Sequence, residues 1–124
     1  MKLEVGMYVR TKRDGIGKII SLSIGEENDC CFIELSKRRT GIKEHNILKA
    51  SHNIIDLIEV GDYVNRELVS RIKKCPEWHG GDGIVIYNEH NETIYSNFRT
   101  SKYGSINSIV TKEMFSSMEY KVGE

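Results

Sequence analysis

Two stretches of eight residues, LEVGMYVR at positions 3–10 and IEVGDYVN at positions 58–65, carry the same pattern. Six of the eight aligned positions hold identical residues or aliphatic exchanges, and the second copy starts 55 residues after the first. In both copies a glycine permits a sharp bend, and the tyrosine and valine that follow favour β-strands that bury against a neighbouring strand. The repeat predicts one β-unit that is used twice.

The same order of parts follows each copy of the pattern. A β-type segment comes next, at residues 16–23 in the first half and 67–73 in the second. Each half then closes with a polar turn that leads into a short aliphatic strand, and we align Ile47–Leu48 with Ile109–Val110. The similarity therefore extends beyond the eight-residue pattern.

The periodicity between these landmarks is that of β-strands. Apolar residues alternate with polar ones or form short runs bounded by Gly, Asn and Asp, which is typical of strands joined by turns. We therefore expect an all-β fold of about ten short strands. The predicted arrangement is two small SH3-like barrel halves in tandem, residues 1–53 and 54–124. A single β-sandwich is the alternative, in which both repeats only mark the starts of strands.

Only residues 112–117 have a helical pattern. Thr111 precedes them and is predicted to be the N-cap, and Glu113 lies in the first turn, where the helix dipole favours an acidic side chain. We expect Met114 and Phe115 to face the barrel.

The composition is that of a folded chain without an overall charge. Hydrophobic residues make up 39% and charged residues 29%, so a buried core is expected rather than disorder. The 18 basic residues balance 18 acidic ones, which argues against the broad basic surface that non-specific nucleic-acid binding requires. No apolar stretch is long enough for a signal peptide or a membrane span. We expect a soluble, cytoplasmic protein that has no membrane partner.

The loop KKCPEWHGGDG, residues 73–83, is the first candidate binding site. It holds the single proline, the single tryptophan and three of the eleven glycines of the chain. Glycine amides can approach an anion, tryptophan can stack on a base or pack on a partner, and lysines can neutralise phosphate. The residues predicted to bind here are Lys73, Lys74, Trp78, His79, Gly80 and Gly81. The alternative is an irregular hairpin connection in which Trp78 caps the end of the barrel.

The second candidate is the segment YSNFRTSKYG, residues 95–104, in which aromatic residues alternate with basic and amide side chains. This pattern suits stacking on bases combined with contacts to phosphate, and it equally suits a protein contact. The residues predicted to bind are Arg99, Lys102 and Tyr103. A strand with one aromatic face turned inward is the alternative.

Basic residues concentrate at two places in the first half. They are Arg10, Lys12 and Arg13, and then Lys37, Arg38 and Arg39. If the two places are neighbours in the fold, they form a positive patch that can bind nucleic acid. Ordinary solvated turns are the alternative.

The chain contains no pattern typical of a catalytic or metal site. The four histidines lie singly, and the three cysteines form an odd number without paired spacing, which disfavours a zinc site and a disulfide framework. We expect neither enzymatic activity nor a cofactor nor a metal. A thiol-dependent enzyme at Cys75 with His79 is retained as an alternative.

Three segments of the chain resemble a group of small uncharacterised proteins from phages and prophages of low-GC Gram-positive bacteria. They are LEVGMYVRTKRDGIGKI at 3–19, SHNIIDLIEVGDYVN at 51–65 and SIVTKEMFSSMEYKV at 108–122. Residues 72–103 depart most from that group, so we expect the specialisation of this chain there.

The resemblance implies a function by analogy of gene context. Small accessory phage proteins often counter host immunity, either by blocking a defence protein such as a CRISPR effector or by sequestering a nucleotide immune signal. The implied function is therefore a non-enzymatic inhibitor in the host-cell cytoplasm that binds through residues 73–83 and 95–104. A nucleic-acid-binding accessory phage protein that uses the basic residues of the first half is the alternative.

A nucleotide ligand would be held by both candidate segments. Trp78 and Tyr103 would stack on bases, while Arg99, Lys102 and the amides of the glycine pair would meet phosphates. Such a site would lie across the interface of a homo-oligomer, because a barrel of this size has little room for an enclosed pocket.

Overall fold

The computed structural model describes residues 2–22, 31–74, 83–97 and 102–118, without the side chains of residues 116–118. The described residues form ten β-strands and one short α-helix. The predicted all-β fold with a short helix is therefore confirmed, whereas the closer likeness to SH3 barrels stays a prediction.

The chain divides into two compact units. The first unit comprises Met1–Ile58 together with Glu113–Glu124, and the second unit comprises Glu59–Lys112. Each unit contains one five-stranded antiparallel sheet.

The first sheet consists of β1 (Tyr8–Thr11), β2 (Ile16–Leu22), β3 (Cys31–Glu34), β4 (Arg39–Ile42) and β5 (Ile47–Ser51). Neighbouring strands follow the order β4-β3-β2-β1-β5, so the last strand pairs with the first. One 3₁₀ turn, Glu44–Asn46, precedes β5, and another, Ile54–Leu57, follows it.

The second sheet consists of β6 (Tyr63–Val64), β7 (Glu67–Lys74), β8 (Ile84–Asn88), β9 (Thr93–Ser96) and β10 (Ile109–Val110). Its strand order, β10-β6-β7-β8-β9, is that of the first sheet read from the other edge. The helix α1 (Lys112–Met118) follows β10.

The turns that open the two units have the same hydrogen bonds. Gly6 and Gly61 adopt φ angles of 94° and 101°, which side chains rarely allow. The Gly6 amide donates to the carbonyl of Ile19 at 2.9 Å, and the Gly61 amide donates to that of Val69 at 2.9 Å. The glycine of the repeated pattern therefore sets where the first two strands of each unit meet.

The duplication extends into the register of the sheets. The pairing of β2 with β3 shifts between Ile19 and Ser21, and that of β7 with β8 shifts between Val69 and Arg71. Because Ile19 and Val69 accept the equivalent glycine hydrogen bonds, the two irregularities lie at corresponding places. A strand pair and its β-bulge are thus repeated together.

The closing strands of the two units correspond through other residues than the sequence predicts. Ile109 pairs with Val64, and Val9, the counterpart of Val64, pairs with Ala50. Ile109 therefore corresponds to Ala50, and the predicted alignment with Ile47 is wrong by three positions. Ile47–Leu48 and Ile109–Val110 are both aliphatic pairs, but the correspondence is decided by which residue pairs with the first strand of each unit.

Alternation along the strands places apolar side chains on one face of each sheet. In β3, Cys31 and Ile33 are buried, whereas Phe32 and Glu34 are exposed. The buried core cluster of the first unit consists of Val9, Ile19, Cys31, Ile33, Ile42 and Ile47. The buried apolar residues of the second unit include Val64, Val69, Ile86 and Ile94.

A charged residue is fully buried in the first unit. Arg10 follows Val9 on β1, so its side chain points away from the core cluster, and it is 0% exposed. Its Nε and Nη2 atoms donate to the two carboxylate oxygens of Glu113 at 2.6 and 2.8 Å. Its Nη1 atom donates to the carbonyl of Leu57 at 2.8 Å. The bidentate pair compensates the charge that burial removes from water.

The helix begins where it was predicted, but its cap is different. The side-chain hydroxyl of Thr111 is buried and has no hydrogen-bond partner among the described residues. Instead, the amide of Lys112 donates to Asp62 Oδ1 at 3.0 Å. Met114 is half-buried, whereas Phe115 is 48% exposed, so the prediction that both side chains face inward is wrong for Phe115.

The turn between β6 and β7 contains two residues in the left-handed region. Asn65 and Arg66 have φ angles of 52° and 68°, the geometry of a tight hairpin that normally takes glycine at its second position. The Asn65 side chain donates to the carbonyl of Ser105 at 2.6 Å and accepts from the amide of Asn107 at 2.7 Å. Asn65 is thus held by hydrogen bonds, whereas Arg66 retains the cost of its backbone conformation.

Replacement of Arg66 by glycine is expected to raise the free energy of unfolding by about 1 kcal/mol, because glycine adopts positive φ without a steric cost. Urea denaturation measures the change. The control Arg66→Ala removes the same charge and keeps the strain, so its stability should stay within about 0.5 kcal/mol of the wild type. Equal stabilisation by both substitutions would show that the side chain, and not the backbone, is responsible.

Replacement of Glu113 by alanine is expected to cost about 3 kcal/mol of unfolding free energy, because it removes the bidentate carboxylate partner of a buried guanidinium. The control Glu34→Ala breaks the exposed pair with Arg39 and should cost less than about 1 kcal/mol. The double variant Arg10→Met with Glu113→Leu should recover most of the loss, since it removes both charges. Similar small losses in both single variants would contradict a buried ion pair.

Candidate functional site

The predicted binding residues of the second unit are described only in part. Lys73 and Lys74 end β7, and Lys102 and Tyr103 follow β9; all four side chains are exposed. The remaining predicted residues lie outside the described part of the chain: Cys75, Trp78, His79, Gly80, Gly81 and Arg99.

The flanks of the two candidate segments meet at one end of the second sheet. Lys73 is opposite Val85 on the neighbouring strand, and Val85 is opposite Ser96 on the next. Ser96 and Tyr103 form a bridge in which they exchange both backbone hydrogen bonds at 2.9 Å. Lys73 and Tyr103 therefore belong to one cross-strand row, although 30 positions separate them in the chain.

This end of the sheet presents positive charge and an aromatic ring. We term it the lysine end, defined by Lys73, Lys74, Lys102 and Tyr103. The salt bridges among the described residues include none of the three lysines. Tyr103 is 59% exposed. The exposed lysines at this end of the sheet can attract an anionic group, and the exposed ring of Tyr103 can stack on a planar one.

Two local features hold the backbone of the lysine end. The Oδ1 atom of Asn97 accepts from the amide of Ile84 at 2.6 Å, which joins the end of β9 to the start of β8. Gly104 has a φ angle of 70°, and a Cβ atom there would lie 2.8 Å from the carbonyl oxygen of Ile94. Only glycine lets the chain after Tyr103 approach β9 so closely.

The basic residues of the first unit lie on two turns that are neighbours. Arg38, in the turn between β3 and β4, pairs with Asp14, in the turn between β1 and β2, at 2.7 Å. The two turns are therefore neighbours, which is the condition for a positive patch. We term the exposed cations on them the basic turns: Lys12, Arg13, Lys37, Arg38 and Arg39.

Arg10 was predicted to belong to the same patch, and the structure corrects this. Its guanidinium is buried and is neutralised by Glu113, so it offers no charge to an external ligand. The partner lies 103 positions away in sequence, and no local pattern around Arg10 indicates it. Arg39 in turn pairs with Glu34 at 3.2 Å on the surface.

The outer face of the first sheet carries aromatic residues that were not among the predicted binding residues. Phe32 is 44% exposed on β3. Tyr8, on β1, lies under the ammonium group of Lys18, which is 5.7 Å from the ring centroid. The strict alternation of Cys31–Glu34 is the signal that would have identified Phe32 as an outward aromatic residue.

The described residues contain no group of three His, Cys, Asp or Glu side chains placed to hold a metal ion. His52 lies 3.1 Å from Glu4 in an exposed pair between Nε2 and Oε1. In the part of the chain that the structure describes, none of the helices has the length and apolar character needed to cross a membrane.

Comparison of the chain with protein-family models, with curated proteins and with solved structures gives no match.

Proposed function

We propose that this protein is a non-enzymatic binding protein whose ligand or partner docks at the lysine end of the second sheet. The proposal is supported by the cross-strand row from Lys73 to Tyr103, because the flanks of two separate candidate segments lie at the same end of one sheet. The three lysines supply charge for an anionic ligand, and Tyr103 supplies a ring for stacking or for a partner's pocket.

The resemblance to small phage proteins supports a biological setting for this binding. In that setting the protein is a phage-encoded inhibitor that counters a bacterial defence system in the host cytoplasm. Its target is a host defence protein, such as a CRISPR effector, or a nucleotide immune signal that it sequesters. Binding alone inhibits in both cases, so the proposal needs no catalytic group.

A phage challenge combined with native mass spectrometry tests this proposal. Bacteria that carry different defence systems express the protein, are challenged with phage, and yield the protein for analysis of bound species. The wild type should restore phage growth against a defence system and carry a nucleotide or a host protein. The double variant Lys73→Glu with Lys74→Glu reverses two charges at the lysine end and should lose both properties.

The matched control is Lys12→Glu with Lys37→Glu, which makes the same change of charge on the basic turns of the first unit. It should retain phage rescue and the bound species. Loss of both properties in this control, together with their retention in Lys73→Glu with Lys74→Glu, would place the binding at the basic turns and not at the lysine end. A wild type that rescues no phage and carries no bound species would overturn the proposed function.

A second function, nucleic-acid binding by an accessory phage protein, is supported by the proximity of the basic turns. The Arg38–Asp14 pair joins the turn that carries Lys12 and Arg13 to the turn that carries Lys37 and Arg38. Exposed cations on adjacent turns can follow the phosphates of a nucleic-acid backbone.

For this second function, the variant Lys12→Glu with Lys37→Glu should weaken DNA or RNA binding. The slope of the logarithm of the binding constant against the logarithm of the salt concentration should also decrease in magnitude, by about one for each phosphate that the protein no longer neutralises. Fluorescence anisotropy at several salt concentrations measures both effects. The variant Lys73→Glu with Lys74→Glu is now the control and should bind like the wild type. Unchanged affinity and salt dependence in the first variant would exclude the basic turns as the binding surface.

A further inference from the structure

Phe32 is the most exposed ring on the outer face of the first sheet among the described residues of its strands. Its cross-strand neighbours are Ser21 on β2 and Gly41 on β4. Both neighbours are small, so neither has a side chain long enough to cover the ring. A large planar apolar group is thus presented between two small residues.

The second unit shows how such a ring is covered. Tyr87 on β8 corresponds to Phe32 on β3. Directly after the β-bulge, Arg71 of β7 is opposite Tyr87 in the second unit, and Ser21 of β2 is opposite Phe32 in the first unit. The guanidinium of Arg71 lies 4.0 Å from the centroid of the Tyr87 ring and is held by Asn91 at 2.9 Å. The first unit has a serine at the position of the covering cation, and its ring stays open to an external planar group.

Cations lie on both sides of Phe32. Arg39, Gly41 and Lys43 share the outer face of the edge strand by alternation, because Lys43 continues β4 in extended conformation. Each cation is two residues from Gly41, which is about 7 Å along the strand. Glu34 pairs with Arg39, but their side chains are 49% and 69% exposed, so solvent weakens this pair and a phosphate can replace it.

We propose that the outer face of the first sheet is a stacking platform for single-stranded nucleic acid, with one base on Phe32 and the adjoining phosphates at Arg39 and Lys43. Stacking on a ring requires an unpaired base, so this face selects single strands over duplexes. The cations on both sides of the ring favour a polyanion over an apolar protein surface. Arg39 belongs both to this face and to the basic turns, so the two surfaces are continuous. The proposal rests on the second function above and specifies its ligand.

Fluorescence anisotropy with labelled oligo-dT and oligo-U of about 12 nucleotides, and with a duplex of the same length, tests the proposal. Phe32→Ala should weaken single-strand binding about tenfold, since it removes the ring on which one base stacks. Phe32→Tyr should bind like the wild type, because it keeps the ring. The control Tyr87→Ala removes the corresponding ring, which Arg71 covers, and should change the affinity less than about twofold.

Two outcomes overturn the stacking platform and separate it from the function on which it rests. If duplex and single strand bind equally and Phe32→Ala binds like the wild type, nucleic-acid binding stands and the stacking platform does not. If no oligonucleotide binds at low salt, both fail. Loss of a co-purifying host protein in Phe32→Ala, without any oligonucleotide binding, would assign the ring to a protein contact and would also overturn the proposal.

Discussion

A glycine in the left-handed region before the first strand of each unit is the constraint on which the two sheets depend. Any L-residue with a side chain would cost about 1–2 kcal/mol in that conformation. The bend returns the amides of Gly6 and Gly61 to the second strand of their units, at Ile19 and Val69. Strand register follows from these contacts, and register decides which side chains reach the core and which face solvent.

The two copies differ at the residue after the glycine, yet the two turns keep equivalent backbone hydrogen bonds. Met7 and Asp62 follow the two glycines, and the side chain of each accepts a hydrogen bond from the amide three residues earlier, that of Glu4 or Glu59. Asp62 has a second carboxylate oxygen, and this oxygen also accepts from the amide of Lys112 at the start of α1. One substitution within a repeated turn thus supplies a helix cap.

Features that depend on near neighbours in sequence could be predicted, and features that depend on distant partners could not. The strands and the helix follow from alternation, from the repeat and from helical spacing. The burial of Arg10 depends on Glu113, and the helix cap depends on Asp62 in an earlier turn. The composition of both candidate segments predicts binding, but the position of Tyr103 at the same end of the sheet as Lys73 depends on its bridge to β9, which Gly104 permits. Phe32 could have been found from alternation alone.

One five-stranded unit, used twice with the same opening turn, underlies both sheets. Amide hydrogen exchange followed by NMR tests this most directly at Gly6, Ile19, Gly61 and Val69. All four amides donate to backbone carbonyls at 2.8–2.9 Å, so each should exchange much more slowly than a free amide, and the two glycines should be protected alike. Exchange at the rate of a free amide at one glycine, with protection at the other, would contradict the duplication.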